Sequence, residues 1–146
     1  MNIREKANEL VANLGKIIQV EGLVFDEEDS CIILLDNKIL FILELDEESK
    51  TIVFNIILGN LPIVGRQEVL YELLSANFYW NRTEGGTIGI DEQTDIVTMC
   101  YVMNVPLEND SEFEVVFEKL ANASEYWVNR LLEAGRLDKP SNIVRM

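Results

Sequence analysis

The chain has 146 residues, a formal charge of −14 and a sequence pI near 4.3. A field of that sign repels phosphate backbones and anionic headgroups, which argues against nucleic acid or a membrane surface as partner and leaves basic or neutral proteins. With 48% apolar and 26% charged residues, it suits one folded domain with a continuous core rather than a disordered chain.

A first helix is expected over residues 3–21. Ile3, Ala7, Leu10, Val11, Leu14, Ile17 and Ile18 share one face, Gly15 weakens it locally, and Gly22 stands just past its end. Three strands follow at Cys31–Leu35, Ile39–Leu45 and Thr51–Leu58, with a short extended piece at Leu23–Phe25. The charged turns between the three strands are short enough to imply an antiparallel meander. Ile39, Phe41, Leu43 and Leu45 line one face of the second strand; Ile52, Phe54, Ile56 and Leu58 do so on the third. The opposite face is also mostly apolar, so something is expected to cover part of it.

After a loop at Gly59–Gly65, a second helix is predicted from Arg66 to Trp80. The residues Thr83-Glu84-Gly85-Gly86 turn the chain into a hairpin of Thr87–Asp91 and Asp95–Val105. The last helix starts at Ser111, where Ser111 and Glu114 have capping-box spacing. Its buried side is expected to hold Phe113, Val116, Phe117, Leu120, Ala123, Ser124, Trp127, Leu131 and Leu132, with Gly135 and Pro140 marking its end. Residues 1–135 form the single domain, and 136–146 read as a loosely held tail.

No histidine is present, which removes the usual general base and the commonest metal ligand. The acidic runs Asp26–Asp29 and Asp46–Glu48 fall in turns, and the first lacks the alternating ligands and glycine of a calcium loop. Gly85-Gly86-x-x-Gly89 lacks the order of a phosphate-binding loop. Cys31 and Cys100 sit in apolar runs without metal spacing and read as reduced core thiols. No signal-peptide core and no membrane-length apolar run occur in the sequence. The expectation is a cytoplasmic protein that is no enzyme, with no cofactor and no metal.

Leu73-Leu74-Ser75-Ala76-Asn77-Phe78, the Gly85-Gly86 turn and the strand Ile88-Gly89-Ile90-Asp91 resemble, in order and spacing, the class I type III secretion chaperones (Tir-chaperone-like). Leu61-Pro62, Pro106-Leu107 and Glu125-x-Trp127 add to the likeness. The resemblance implies an α+β fold, a twisted antiparallel sheet with three helices in the order αβββαββα, assembled as a homodimer. It further implies that the protein holds the N-terminal segment of a secreted effector extended and soluble, with the secretion ATPase as a further candidate partner. A regulatory or antitoxin-like module that binds a folded protein is the alternative.

Two surfaces are candidates. Phe78, Tyr79 and Trp80 cannot all face the core from consecutive positions; either two are buried and one caps the turn, or they meet a second subunit. The resemblance favours pairing through Leu70, Leu73, Leu74, Phe78, Tyr79 and Trp80 with Ile88 and Ile90. The other sheet face, with Ile32, Leu34, Leu40, Ile42, Val53 and Ile57, is covered either by a helix or by a client segment, helped by Leu10 and Leu14 of the first helix. Ordering twenty client residues costs on the order of 20–40 kcal/mol of backbone entropy. Offsetting it takes roughly 800–1,600 Å² of apolar burial. A small pocket cannot supply that area, whereas two paired subunits can.

Overall fold

The computed structural model describes residues 1–138. It contains α1 (Ile3–Ile18), β1 (Ser30–Leu35), β2 (Ile39–Asp46), β3 (Thr51–Asn60), α2 (Arg66–Ala76), β4 (Thr87–Ile90), β5 (Ile96–Asn104) and α3 (Ser111–Gly135), with 3₁₀ turns at Phe78–Trp80 and Arg136–Asp138. The αβββαββα order is the expected one. Leu23–Phe25 forms no strand.

All strands pair antiparallel in the order β1-β2-β3-β5-β4. Because strand side chains alternate, the register puts Ile33, Phe41, Ile56, Met99 and Ile88 in one row across the sheet. All five are buried. The helices pack on that side: Phe117 of α3 stacks on Phe41 at 4.4 Å between centroids, and Phe113 meets Phe54 at 5.6 Å. Burying each such side chain stabilises the fold by about 1.5–3 kcal/mol. Gly59 lies at a register shift in β3 with φ 142°, a conformation essentially confined to glycine. A Cβ there would sit 3.4 Å from Leu131 Cβ, so glycine also lets α3 lie close to the strand.

Four local expectations are corrected. First, α1 ends at Ile18, because Gln19 turns left-handed at φ 60° and both its N–H and that of Val20 bond the Gly15 carbonyl. A Cβ on Gly15 would lie 2.4 Å from the Val20 oxygen. Gly15 is therefore required for this reversal rather than merely tolerated in the helix. Second, the capping box forms at α1, between Asn2 and Glu5, and not at Ser111. Asp110 is already helical, at φ −59° and ψ −27°, and Ser111 donates from both N and Oγ to Asn109 Oδ1.

Third, Leu132 is exposed and Val116 and Ala123 are only half-buried. The buried stripe of α3 runs through Phe113, Phe117, Leu120, Ser124, Trp127, Leu131 and Ala134; Leu132 is one step, about 100°, off it. Fourth, the chain continues past Gly135 into a 3₁₀ turn, where the Asp138 carboxylate accepts the N–H groups of Ile63 and Val64, each at 2.7 Å. Those two bonds hold the Asp138 pKa below the usual aspartate value. The rest of the expected tail, 139–146, lies outside the described residues.

Candidate functional site

One surface forms where α2 meets β4. Asn77 follows the last residue of α2, and its side chain bonds the edge strand twice. Nδ2 donates to the Ile88 carbonyl at 3.0 Å, and the Ile88 N–H donates to Oδ1 at 2.8 Å. The amide thus occupies the Ile88 backbone groups, which a further strand on this edge would otherwise use. Beside it lies a shallow groove of about 410 Å³ lined by Leu70, Leu73, Leu74, Asn77, Ile88, Gly89 and Ile90.

The predicted helix to Trp80 stops at Ala76, and Phe78–Trp80 form a separate 3₁₀ turn. Tyr79 and Trp80 take φ values of 51° and 54°, a strained region for bulky side chains. All three aromatics are exposed, at 68%, 74% and 53%. That eliminates the reading in which two of them are core. Leu70, Leu74 and Ile90 are exposed as well, whereas Leu73 and Ile88 are buried within the protomer and only form the groove floor. Behind α2, Glu72 and Arg130 of α3 make a two-bond ion pair at 2.9 and 2.7 Å. Those hydrogen bonds keep the Glu72 pKa below the ordinary glutamate value.

The second surface is the open face of the sheet. Among its strand residues none is buried, so burial under a helix is ruled out as its explanation. Ile32 and Leu34 are 62% and 54% exposed, and Leu40, Ile42, Val53 and Ile57 are half-buried. Leu10 and Leu14 are corrected: both are core residues, because α1 turns that side inward against the buried cluster. The exposed aliphatic residues at this end of α1 are Ile17, Val20 and Val24. Val24 precedes the Asp26–Ser30 turn that leads into β1. Periodicity could not find Val20 and Val24, which lie beyond the helix.

A polar strip crosses the apolar face. Asn55 Nδ2 donates to Glu44 Oε1, and Cys100 Sγ donates to Asn55 Oδ1 at 3.0 Å. Cys100 is therefore no core residue; the register opposite Asn55 turns it to the open face. Cys31 does lie in the core, where burial pushes its thiol pKa up and keeps it protonated. Among the described residues, no three His, Cys, Asp or Glu side chains come together as a metal-holding group. Nor is any helix long and apolar enough to cross a membrane.

The edge of this face is β1, which has a neighbour on one side only. Leu45 N–H bonds the Asp29 carbonyl. Antiparallel alternation then directs the backbone groups of Ser30, Ile32 and Leu34 away from β2. Asp26 occupies those of Ser30: its Oδ1 accepts the Ser30 N–H at 3.0 Å, and its own N–H bonds the Ser30 carbonyl at 2.8 Å. Among the described residues, the backbone groups of Ile32 and Leu34 have no partner.

Apolar surface left exposed on two sides among the described residues, one of them ending at a strand paired on one side only, suits the docking of other polypeptide chains. Residues 9–128 match the Tir chaperone protein (CesT) family. The chain belongs to this family of type III secretion chaperones. Its fold is similar to that of a chain in the crystal structure of the ExsC–ExsE complex, with TM-score 0.74, 24% identity, and coverage of 90% of this chain and 97% of that one. A chain of the HopA1–SchA chaperone–effector complex gives TM-score 0.65 at 16% identity, covering 90% and 96%. The Yersinia pestis type III secretion chaperone SycH in complex with a stable fragment of YscM2 gives 0.63 at 16% identity, covering 82% and 98%. No curated protein sequence matches the chain.

Proposed function

We propose that this chaperone acts as a cytoplasmic homodimer and holds an N-terminal segment of a secreted effector extended against its open sheet face, without catalysis or a cofactor. Pairing uses the α2–β4 groove and the Phe78–Trp80 turn. The client lies over Ile32, Leu34, Leu40, Ile42, Val53 and Ile57 and adds a strand at β1. The secretion ATPase is a further proposed partner of the loaded complex.

The observation that carries this reading is the coincidence at β1. The two residues whose backbone groups point outward, Ile32 and Leu34, are also, with Val102 of β5, the most exposed aliphatics of the sheet face. One strand could therefore use both main-chain bonds and side-chain contacts. Four such hydrogen bonds contribute on the order of 2–6 kcal/mol. That is far below the cost of ordering a long client, so the apolar face must supply most of the binding energy.

The test is to purify the protein from its native host with whatever it carries and to measure the mass of the complex by light scattering. Two copies of this chain with one client, whose bound segment lacks folded structure of its own, is the expected result. Saturable binding only to a folded globular protein would overturn the proposal.

A further inference from the structure

We propose that the strand accepted at β1 is aliphatic in the middle and basic on one flank only, the flank lying beside the Asp26–Asp29 turn. This deepens the proposed client site and rests on the reading of β1 as its edge. The charges around β1 are distributed unequally between its two ends. At the Ser30 end, the Asp26–Asp29 turn lies against the Asp46–Glu48 turn that follows β2. Arg4 fixes the two together by pairing with Asp29 and, at 3.6 Å, with Glu47. Lys6 is engaged by Asp110 and Glu9. Among the described residues, Glu27, Glu28 and Glu48 are exposed and have no ion-pair partner. Lys50 is the other cation in that turn. At the Leu35 end, Asp36 and Lys38 offset one another.

Distance makes this asymmetry readable. Six residues of strand span about 20 Å. The screening length at physiological salt is about 8 Å, so the two ends act on a client separately. A cation beside Glu27, Glu28 and Glu48 gains their field, whereas one at the Leu35 end gains little. Ile32 and Leu34, between the ends, require an uncharged aliphatic stretch.

Three peptides test this on the full chain, all sharing a six-residue alternating Val-Ser core. One has a Lys-Lys-Arg flank before the core, one has it after, and one has Glu-Glu-Asp on both sides. Titrated by fluorescence anisotropy, one of the two basic peptides should bind about tenfold more tightly than the other two. High salt should abolish that preference, as should the combined Glu27→Gln, Glu28→Gln and Glu48→Gln variant; Ile32→Pro should weaken all three. Equal binding of the two basic peptides, or a preference that survives the triple variant, overturns the proposal. If all three bind equally and Ile32→Pro still weakens them, the charge inference fails while the β1 edge stands. If none binds, both fail.

Discussion

Asn77 and Ile88 are joined by two hydrogen bonds that do the work of a neighbouring strand. One side chain at the end of α2 satisfies the outward N–H and C=O of Ile88 on the β4 edge. At the opposite edge Asp26 does the same for Ser30 but leaves Ile32 and Leu34 open. The β4 border is thus pinned at Ile88, where a second subunit is proposed to pack by side chains, and the β1 border offers the two consecutive outward-facing residues Ile32 and Leu34 to an incoming strand.

Replacing Asn77 by Leu keeps the approximate volume and removes both bonds. The Ile88 groups then sit partly buried without partners, so stability should fall by about 1–3 kcal/mol. Urea unfolding checks this. The midpoint should drop with the slope unchanged, and an unaltered midpoint would show that water replaces the clamp at no cost.

The Glu72–Arg130 pair ties α2 to α3 and should make stability depend on pH in one direction. Its glutamate has a depressed folded-state pKa. The stabilisation is therefore complete above the ordinary glutamate value and is lost as pH falls through the depressed one. Glu72→Gln should cost about 1 kcal/mol at neutral pH. Unfolding midpoints of the two proteins should converge as pH falls below the ordinary glutamate range; a constant gap through that fall would contradict the assignment.

Gly15→Ala should destabilise the protein although alanine is the better helix former by about 1 kcal/mol. The added methyl meets the Val20 carbonyl, and backbone cannot step aside as a flexible side chain can. A raised melting temperature would refute the close approach.

Charge introduced at Leu74 or Phe78, which are exposed, should separate subunits and leave the far-ultraviolet circular dichroism unchanged. Leu73→Glu should instead unfold the protomer, since Leu73 is buried. Light scattering distinguishes the outcomes, and unchanged dimers in the first two variants would place pairing elsewhere.

Much of this architecture was legible in the sequence because binary patterns carry it. Period-two alternation at Ile39–Leu45 and Thr51–Leu58 located the core face, and the Phe113–Leu131 stripe located the inner side of α3. What the patterns missed depends on a partner remote in sequence. Gly15 looked like a helix defect until Val20 folded back onto it. Ser111 had the right spacing for a cap, but Asp110, whose carboxylate pairs with Lys6, is already helical. Leu10 and Leu14 looked available because hydrophobicity does not say whether a residue faces this core or a guest. The role of Asn77 was invisible for the same reason: its partner, Ile88, lies across a turn.

Residue-resolved hydrogen exchange, on the protein alone and with its client segment bound, tests the account most directly. Ile32 and Leu34 amides should exchange freely in the unloaded protein and slow by about tenfold or more on loading. Cys31 and Ile33, already bonded to β2, should change little. If the client binds and the Ile32 and Leu34 amides exchange as before, no strand is added at β1 and the central claim is wrong.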